Sequence, residues 1–249
     1  MPTPVLLLST SDTDLITARA SGAGYRWANP ARLVEGELAG LLDGAGVVVV
    51  RVLGGYRAWP DGIDACAAAG LPVVVVSGEQ APDAELMRRS TVPAGIALQA
   101  HTYLAEGGAD NLRQLHAFLS DTLLMTGLGF ASPRSTPAWG LLDRPARNDA
   151  DGPTVAVLYY RAQQLAGNTA YIEALCDAIE QAGARALPVY CTSLRNPDPE
   201  LLTLLGTADA LVTTVLAAGG ARPASAGAGG DDDGWDVAHL AALDVPILQ

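Results

Sequence analysis

Residues 154–190 read TVAVLYYRAQQLAGNTAYIEALCDAIEQAGARALPVY, and this stretch decides the fold. Thr154–Tyr160 is an apolar run without strict alternation, the pattern of a strand covered on both faces. Ala170–Ala182 places Ile172, Leu175, Cys176 and Ile179 on one helical face, and Gly183 follows as a helix stop. Ala186–Tyr190 is apolar again. Strand, helix, strand in this order predicts a right-handed crossover and a mostly parallel sheet.

The pattern continues on both sides. Glu200–Leu205 reads as a short helix, Ala210–Leu216 as a strand, Asp236–Leu243 as a helix and Val245–Leu248 as a strand. The chain ends inside that last strand, so the second lobe is expected to be incomplete. Residues 218–234 are rich in Gly, Ala and Ser and end in Asp231, Asp232 and Asp233, a flexible acidic loop without the rest of a calcium loop. Towards the N-terminus, residues 132–153 collect Pro133, Pro137, Pro145, Asn148, Asp149, Gly152 and Pro153, and read as a linker. Before it, Val5–Leu8, Val47–Leu53 and Val73–Val76 are buried strands. Asp12–Ala20, Asp61–Ala69 and Asp110–Met125 are helices. The last carries Leu112, Leu115, Leu119 and Leu123 on one stripe, with Asp110 as N-cap. The fold class is α/β, with mostly parallel sheets flanked by helices in two Rossmann- or flavodoxin-like lobes. Residues 1–131 form the N-terminal domain, 132–153 the linker and 154–249 the second domain.

Composition narrows the chemistry. Apolar residues make up 49% and charged residues 17%, which supports a sizeable core rather than disorder. All 15 basic residues are arginine. Without lysine there is no P-loop and no Schiff base, so ATP chemistry is expected in another subunit. A net charge of −12 argues against nucleic acid and makes any anionic ligand depend on local arginines. Cys66, Cys176 and Cys191 are odd in number and form no CxxC, which fits a reducing cytoplasm. The start reads as a strand rather than a signal peptide, and no apolar run is long enough to span a membrane. No GxGxxG follows a strand, and neither GxSxG nor HExxH occurs.

Three constellations carry candidate chemistry. In the first, Tyr159, Tyr160 and Arg161 fall where a strand ends, the place where open α/β sheets bind ligands. Arg161 suits a carboxylate and the tyrosines a flat ring, while Asn168 either caps the following helix or binds a ligand. In the second, His101, Tyr103, Glu106 and Asp110 surround Gly107-Gly108. His101 and Glu106 are candidate bases or metal ligands, against a plain role in capping and packing. In the third, Arg51 lies inside an apolar strand and calls for a partner, and Arg57 and Trp59 follow Gly54-Gly55. This suits an anionic flat ligand or a domain interface.

The segments LLSTSDTDL (7–15), RVLGGYRAWPDG (51–62), HTYLAEGGADNLRQLHAFLSDTLLMTG (101–127), LYYRAQQLAGNTAYIEALCDAIEQAGA (158–184), PVYCTSL (188–194) and LAALDVPILQ (240–249) resemble the large subunit of the cobaltochelatase family, CobN, and its relative, the large subunit of magnesium chelatase. The resemblance runs over nearly the whole chain and matches the N-terminal part of a much longer subunit. It implies a ligase that forms nitrogen–metal bonds, inserting Co2+ into hydrogenobyrinic acid a,c-diamide on the aerobic route to cobalamin. ATP and Mg2+ would be used by partner subunits, an AAA+ ATPase and a companion of the CobS/CobT type. Two other readings remain open. One is a docking or lid region that contacts those ATPase subunits, and the other is a magnesium chelatase inserting Mg2+ into protoporphyrin IX. The resemblance carries over no catalytic residue.

Overall fold

Valine runs build the first sheet. β1 (Val5–Ser9), β2 (Tyr25–Ala28), β3 (Val47–Val52) and β4 (Val73–Ser77) lie in the order β2-β1-β3-β4, all parallel. The structure is a computed structural model and describes residues 5–145, 152–194, 197–215 and 238–249. The chain divides into two units, Met1–Thr136 and Pro137–Gln249.

In the first unit both faces of the sheet are covered. Val5, Leu7, Val47, Val49, Val74 and Val76 pack under α1 (Asp12–Ala20), α5 (Ala94–Glu106) and α6 (Gly108–Leu124). Leu6, Leu8, Val48, Val50, Val73 and Val75 pack under α2 (Glu37–Leu42), α3 (Pro60–Ala68) and α4 (Ala84–Met87). Two-sided burial explains why these strands read as continuous apolar runs. Each fully buried valine contributes about 1.5–3 kcal/mol relative to an exposed one.

β2 and α5 are not anticipated by the sequence reading. β2 is a four-residue edge strand whose Trp27 is 42% exposed, too short and too polar to announce itself. It is held by the Tyr25 hydroxyl, which donates to the Leu112 carbonyl of α6 at 2.6 Å. The last helix of this unit starts at Gly108 rather than at Asp110, with Gly107 in the capping position. Asp110 instead pairs with Arg113 one turn on.

Beyond α6, residues 126–136 run back along the helix as a strap. Asp121 accepts from the Thr126 hydroxyl at 2.8 Å and from the amides of Leu128 and Gly129 at 2.5 and 2.6 Å. The side chain of Gln114 accepts from the Ala131 amide at 2.7 Å. The Asn111 side chain reads both the amide and the carbonyl of Arg134, each at 2.9 Å. Glu106 accepts from the Thr136 amide at 2.8 Å. The partners descend from 121 to 106 as the strap ascends from 126 to 136, so the segment lies antiparallel to α6.

The second unit opens with β5 (Trp139–Leu141), which lies within the stretch expected as a linker and pairs antiparallel with β7. The sheet order is β5-β7-β6-β8-β9, with β6 (Thr154–Tyr160), β7 (Arg185–Cys191), β8 (Ala210–Thr213) and β9 (Ile247–Leu248) mutually parallel. α7 (Arg161–Leu165) and α8 (Ala170–Gln181) follow β6, and α9 (Pro199–Leu205) and α10 (Ala238–Ala241) precede β8 and β9. α8 covers one face through Ile172 and Cys176, against Val157 and Tyr159. α9 covers the other through Leu201 and Leu205, against Ala156, Leu158 and Leu211. Arg144 clamps its own segment to α8 by ion pairs to Glu180 at 2.6 Å and Asp177 at 2.8 Å. The acidic loop expected at 218–234 lies outside the described residues; β5 and α7 are additions to the order read from the sequence, and the other described helices and strands of this unit follow it.

Candidate functional site

Doubly wound sheets bind ligands beyond the carboxyl ends of their strands, where successive crossovers leave in opposite directions. In the first unit that point lies between β1 and β3, and in the second between β6 and β8. The two are furnished differently.

Between β1 and β3 the space is filled from within. Ser9 and Arg51 are register partners at the ends of their strands. Arg51 is 7% exposed. Its guanidinium donates to Asp14 at 2.6 Å and to the carbonyls of Gly78 at 3.1 Å and Ser77 at 3.4 Å. The second oxygen of Asp14 accepts from the Ser9 hydroxyl at 2.6 Å. The partner that Arg51 calls for is thus an aspartate of α1, and its charge is neutralised before any ligand arrives.

His101 lies beside this group. Its Nε2 meets the Glu79 carbonyl at 3.1 Å. Burial holds its pKa below the usual histidine value; the Glu79 carbonyl opposes this and the charge of Arg51 adds to it. A neutral His101 with Nε2 protonated pins the loop after β4. Glu106 is engaged elsewhere, with Thr136 of the strap, so the structure does not bring the two candidate bases together. The Tyr103 hydroxyl donates to the Ala131 carbonyl at 2.5 Å. Arg57 is exposed on the loop after β3. Trp59 lies against α3 so closely that a Cβ at Gly62 would fall 1.9 Å from its ring.

At the end of β6 the two tyrosines part company. Strand alternation sends Tyr159 to the α8 face, where it is fully buried, and Tyr160 to the α9 face. They cannot grip one ring together. The Tyr159 hydroxyl donates to Gln164 Oε1 at 2.6 Å, and burial pushes its pKa well up. Arg161 is buried, and its Nε donates to the Pro137 carbonyl at 2.8 Å. Asn168 is exposed, after Gly167 at φ +68°, and its amide closes the turn on Gln163.

Three polar side chains that the sequence reading passes over do converge here. Gln163 of α7, Tyr171 of α8 and Thr214 just beyond β8 meet outside β6: the Tyr171 hydroxyl donates to Gln163 Oε1 and lies 3.4 Å from Thr214 Oγ1. The available signal was Tyr171 itself, an aromatic residue in the first turn of α8 that is 40% exposed.

Among the described residues no three His, Cys, Asp or Glu side chains converge. Burial raises Cys66 and Cys176 to about 11 and Cys191 to about 12, so the thiols stay protonated at neutral pH. A cavity of about 60 Å³ between α6 and the strap, lined in part by Asn111, Arg113 and Arg134, has room for a few water molecules but not for a macrocycle.

Two mostly parallel sheets with helices on both faces, each with a carboxyl-end switch point, define an α/β protein of doubly wound type. The chain belongs to the CobN/Magnesium Chelatase family, whose model matches residues 101–249. It is 29% identical over 221 residues to the aerobic cobaltochelatase subunit CobN of Pseudomonas aeruginosa, and 30% identical over 229 residues to that of Sinorhizobium sp. Each match covers 78% of this chain and 18% of the relative. The solved catalytic subunit of cobaltochelatase from Mycobacterium tuberculosis is 67% identical, with a TM-score of 0.73 over 100% of this chain and 21% of that one. The chain thus spans about a fifth of the length of these relatives.

Proposed function

We propose that this chain is part of the large subunit of an ATP-dependent cobaltochelatase, acting in the cytoplasm to insert Co2+ into hydrogenobyrinic acid a,c-diamide. The observation that carries this reading is the 67% identity, over the whole chain, to a solved cobaltochelatase catalytic subunit. ATP and Mg2+ are used by the AAA+ and companion subunits, in keeping with a chain that has no lysine to place on a phosphate. Among the described residues no helix is long and apolar enough to cross a membrane. Within this segment the ring would meet the carboxyl end of the second sheet, near Tyr160, Arg161 and Asn168. Arg51, His101 and Glu106 would keep the framework in shape, with proton removal left to groups elsewhere in the assembly. The test is reconstitution of the full-length subunit with its ATPase partners, following the absorbance of the ring. Insertion of Co2+ into the diamide is expected, and insertion of Mg2+ into protoporphyrin IX instead would overturn the reading.

A second reading is favoured by the internal engagement of Arg51 with Asp14 and of Glu106 with Thr136. On this reading the first unit docks the ATPase subunits and takes no part in ring binding. A pull-down of the chain with those subunits, beside a ring titration followed by tryptophan fluorescence, separates the two. Subunit capture without ring binding would favour docking.

A further inference from the structure

The hydrogens at the open switch point of the second unit can be counted. Thr214 Oγ1 donates to the Leu158 carbonyl at 3.2 Å, and the Tyr171 hydroxyl gives its one hydrogen to Gln163 Oε1. The two hydroxyl oxygens lie 3.4 Å apart, and with the Tyr171 hydrogen on Gln163 the single Thr214 hydrogen is shared between the Leu158 carbonyl and the Tyr171 oxygen, which leaves acceptor lone pairs on both hydroxyls. Beside them, Gln163 Nε2 has two N–H donors with no partner among the described residues, since only its Oε1 is engaged. Tyr171 and Thr214 are exposed and Gln163 is half-buried. Nearby charges are occupied: Glu173 accepts from Thr169 at 2.8 Å, and Arg161 is buried on the Pro137 carbonyl.

Two adjacent acceptors next to a pair of donors complement a group that has N–H donors and a carbonyl acceptor side by side. A carboxylate would set its lone pairs against those of Tyr171 and Thr214, and among the described residues no cation is hydrogen-bonded to either hydroxyl in compensation. The first unit offers no such site, because Asp14 and Arg51 fill its switch point. The family model includes all three residues of the open switch point but not β1 to β4. We propose that Gln163, Tyr171 and Thr214 form a subsite for a neutral primary carboxamide, through which this unit takes hold of an amide-bearing edge of its ligand. The subsite stands on this geometry; only the identity of the ligand as the a,c-diamide ring rests on the chelatase reading.

The test uses the 249-residue chain, labelled with 15N and titrated in parallel with acetamide and sodium acetate at matched ionic strength. Acetamide, a small fragment, is expected to bind at about 1–100 mM. It should give saturating shifts at Gln163, Tyr171 and Thr214 that acetate does not give. Tyr171→Phe and Gln163→Glu should each weaken acetamide binding about five-fold, the effect of one lost hydrogen bond. Equal shifts with acetate, or shifts that survive both substitutions, would overturn the subsite. A second titration compares hydrogenobyrinic acid a,c-diamide with hydrogenobyrinic acid. A preference for the diamide that disappears in Tyr171→Phe supports the subsite. If acetamide binds as described and neither ring does, the subsite holds and the ring-binding reading of this segment fails.

Discussion

The two units wind alike and finish differently. In each, the first strand crosses to one side and the next two crossovers return over the other face, giving β2-β1-β3-β4 in one and β7-β6-β8-β9 in the other. The first closes its switch point with a buried ion pair, and the second leaves exposed hydroxyls and an amide there. The lesson is that a shared winding fixes where a ligand can bind, while a few side chains decide whether that place is open. In the first unit the same guanidinium that would attract an anionic ligand is spent on holding β3, α1 and the loop after β4 together.

Breaking the ion pair gives the largest expected effect. Arg51→Ala leaves Asp14 in a nearly dry site and should cost about 3–5 kcal/mol in denaturant unfolding of the first unit. The double substitution Asp14→Leu with Arg51→Met should cost much less than the sum of the single losses. If Arg51→Ala costs under about 1 kcal/mol, the pair does not close the switch point. In the second unit, Arg144→Ala strands Glu180 and is expected to cost about 2–4 kcal/mol, read as a lowered denaturation midpoint with faster hydrogen exchange at 142–145. A smaller loss there than at Arg51 would fit the greater access of water to Asp177.

A pH titration sharpens the contrast further. His101 and His116 both have pKa values lowered by burial, so the folded state favours their neutral forms. Their contribution is complete above the unfolded value of about 6.5 and is lost as the pH falls from there towards the folded values. The first unit should therefore lose stability as the pH falls below about 6.5, and His101→Gln should flatten that slope. The test reads the first unit, in which both His101 and His116 lie. The smallest effect is expected at Asp121, whose carboxyl is held below its usual value first by the Thr126 hydroxyl, against a burial cost, and then by amides of the strap. This contribution is present above the unfolded value of about 3.9 and is lost as the pH falls below it towards the folded one. Asp121→Asn should speed hydrogen exchange at 126–129 and leave α6 protected.

Much of the architecture was legible because two-sided burial writes itself as runs of valine, as in Val47–Val50 and Val73–Val76. What escaped was short or held from a distance. β5 has three residues and depends on register with β7. The strap is ordered by Asn111, Gln114 and Asp121, polar residues on the outer face of a helix whose inner stripe was the visible signal. The candidate site was half legible. The end of β6 was found, but the period of two that separates Tyr159 from Tyr160 was not applied to them. The burial of Arg51 was anticipated, whereas its partner lies 37 residues away in sequence.

The strap also has a practical bearing on how the gene can be divided for expression. A boundary placed at Ala131, where the proline-rich stretch begins, would remove Arg134 and Thr136. Asn111 and Glu106 would then face solvent without the backbone groups they hold. A piece reaching Thr136 keeps both clasps, so of two fragments only five residues apart, the longer should melt at a distinctly higher temperature.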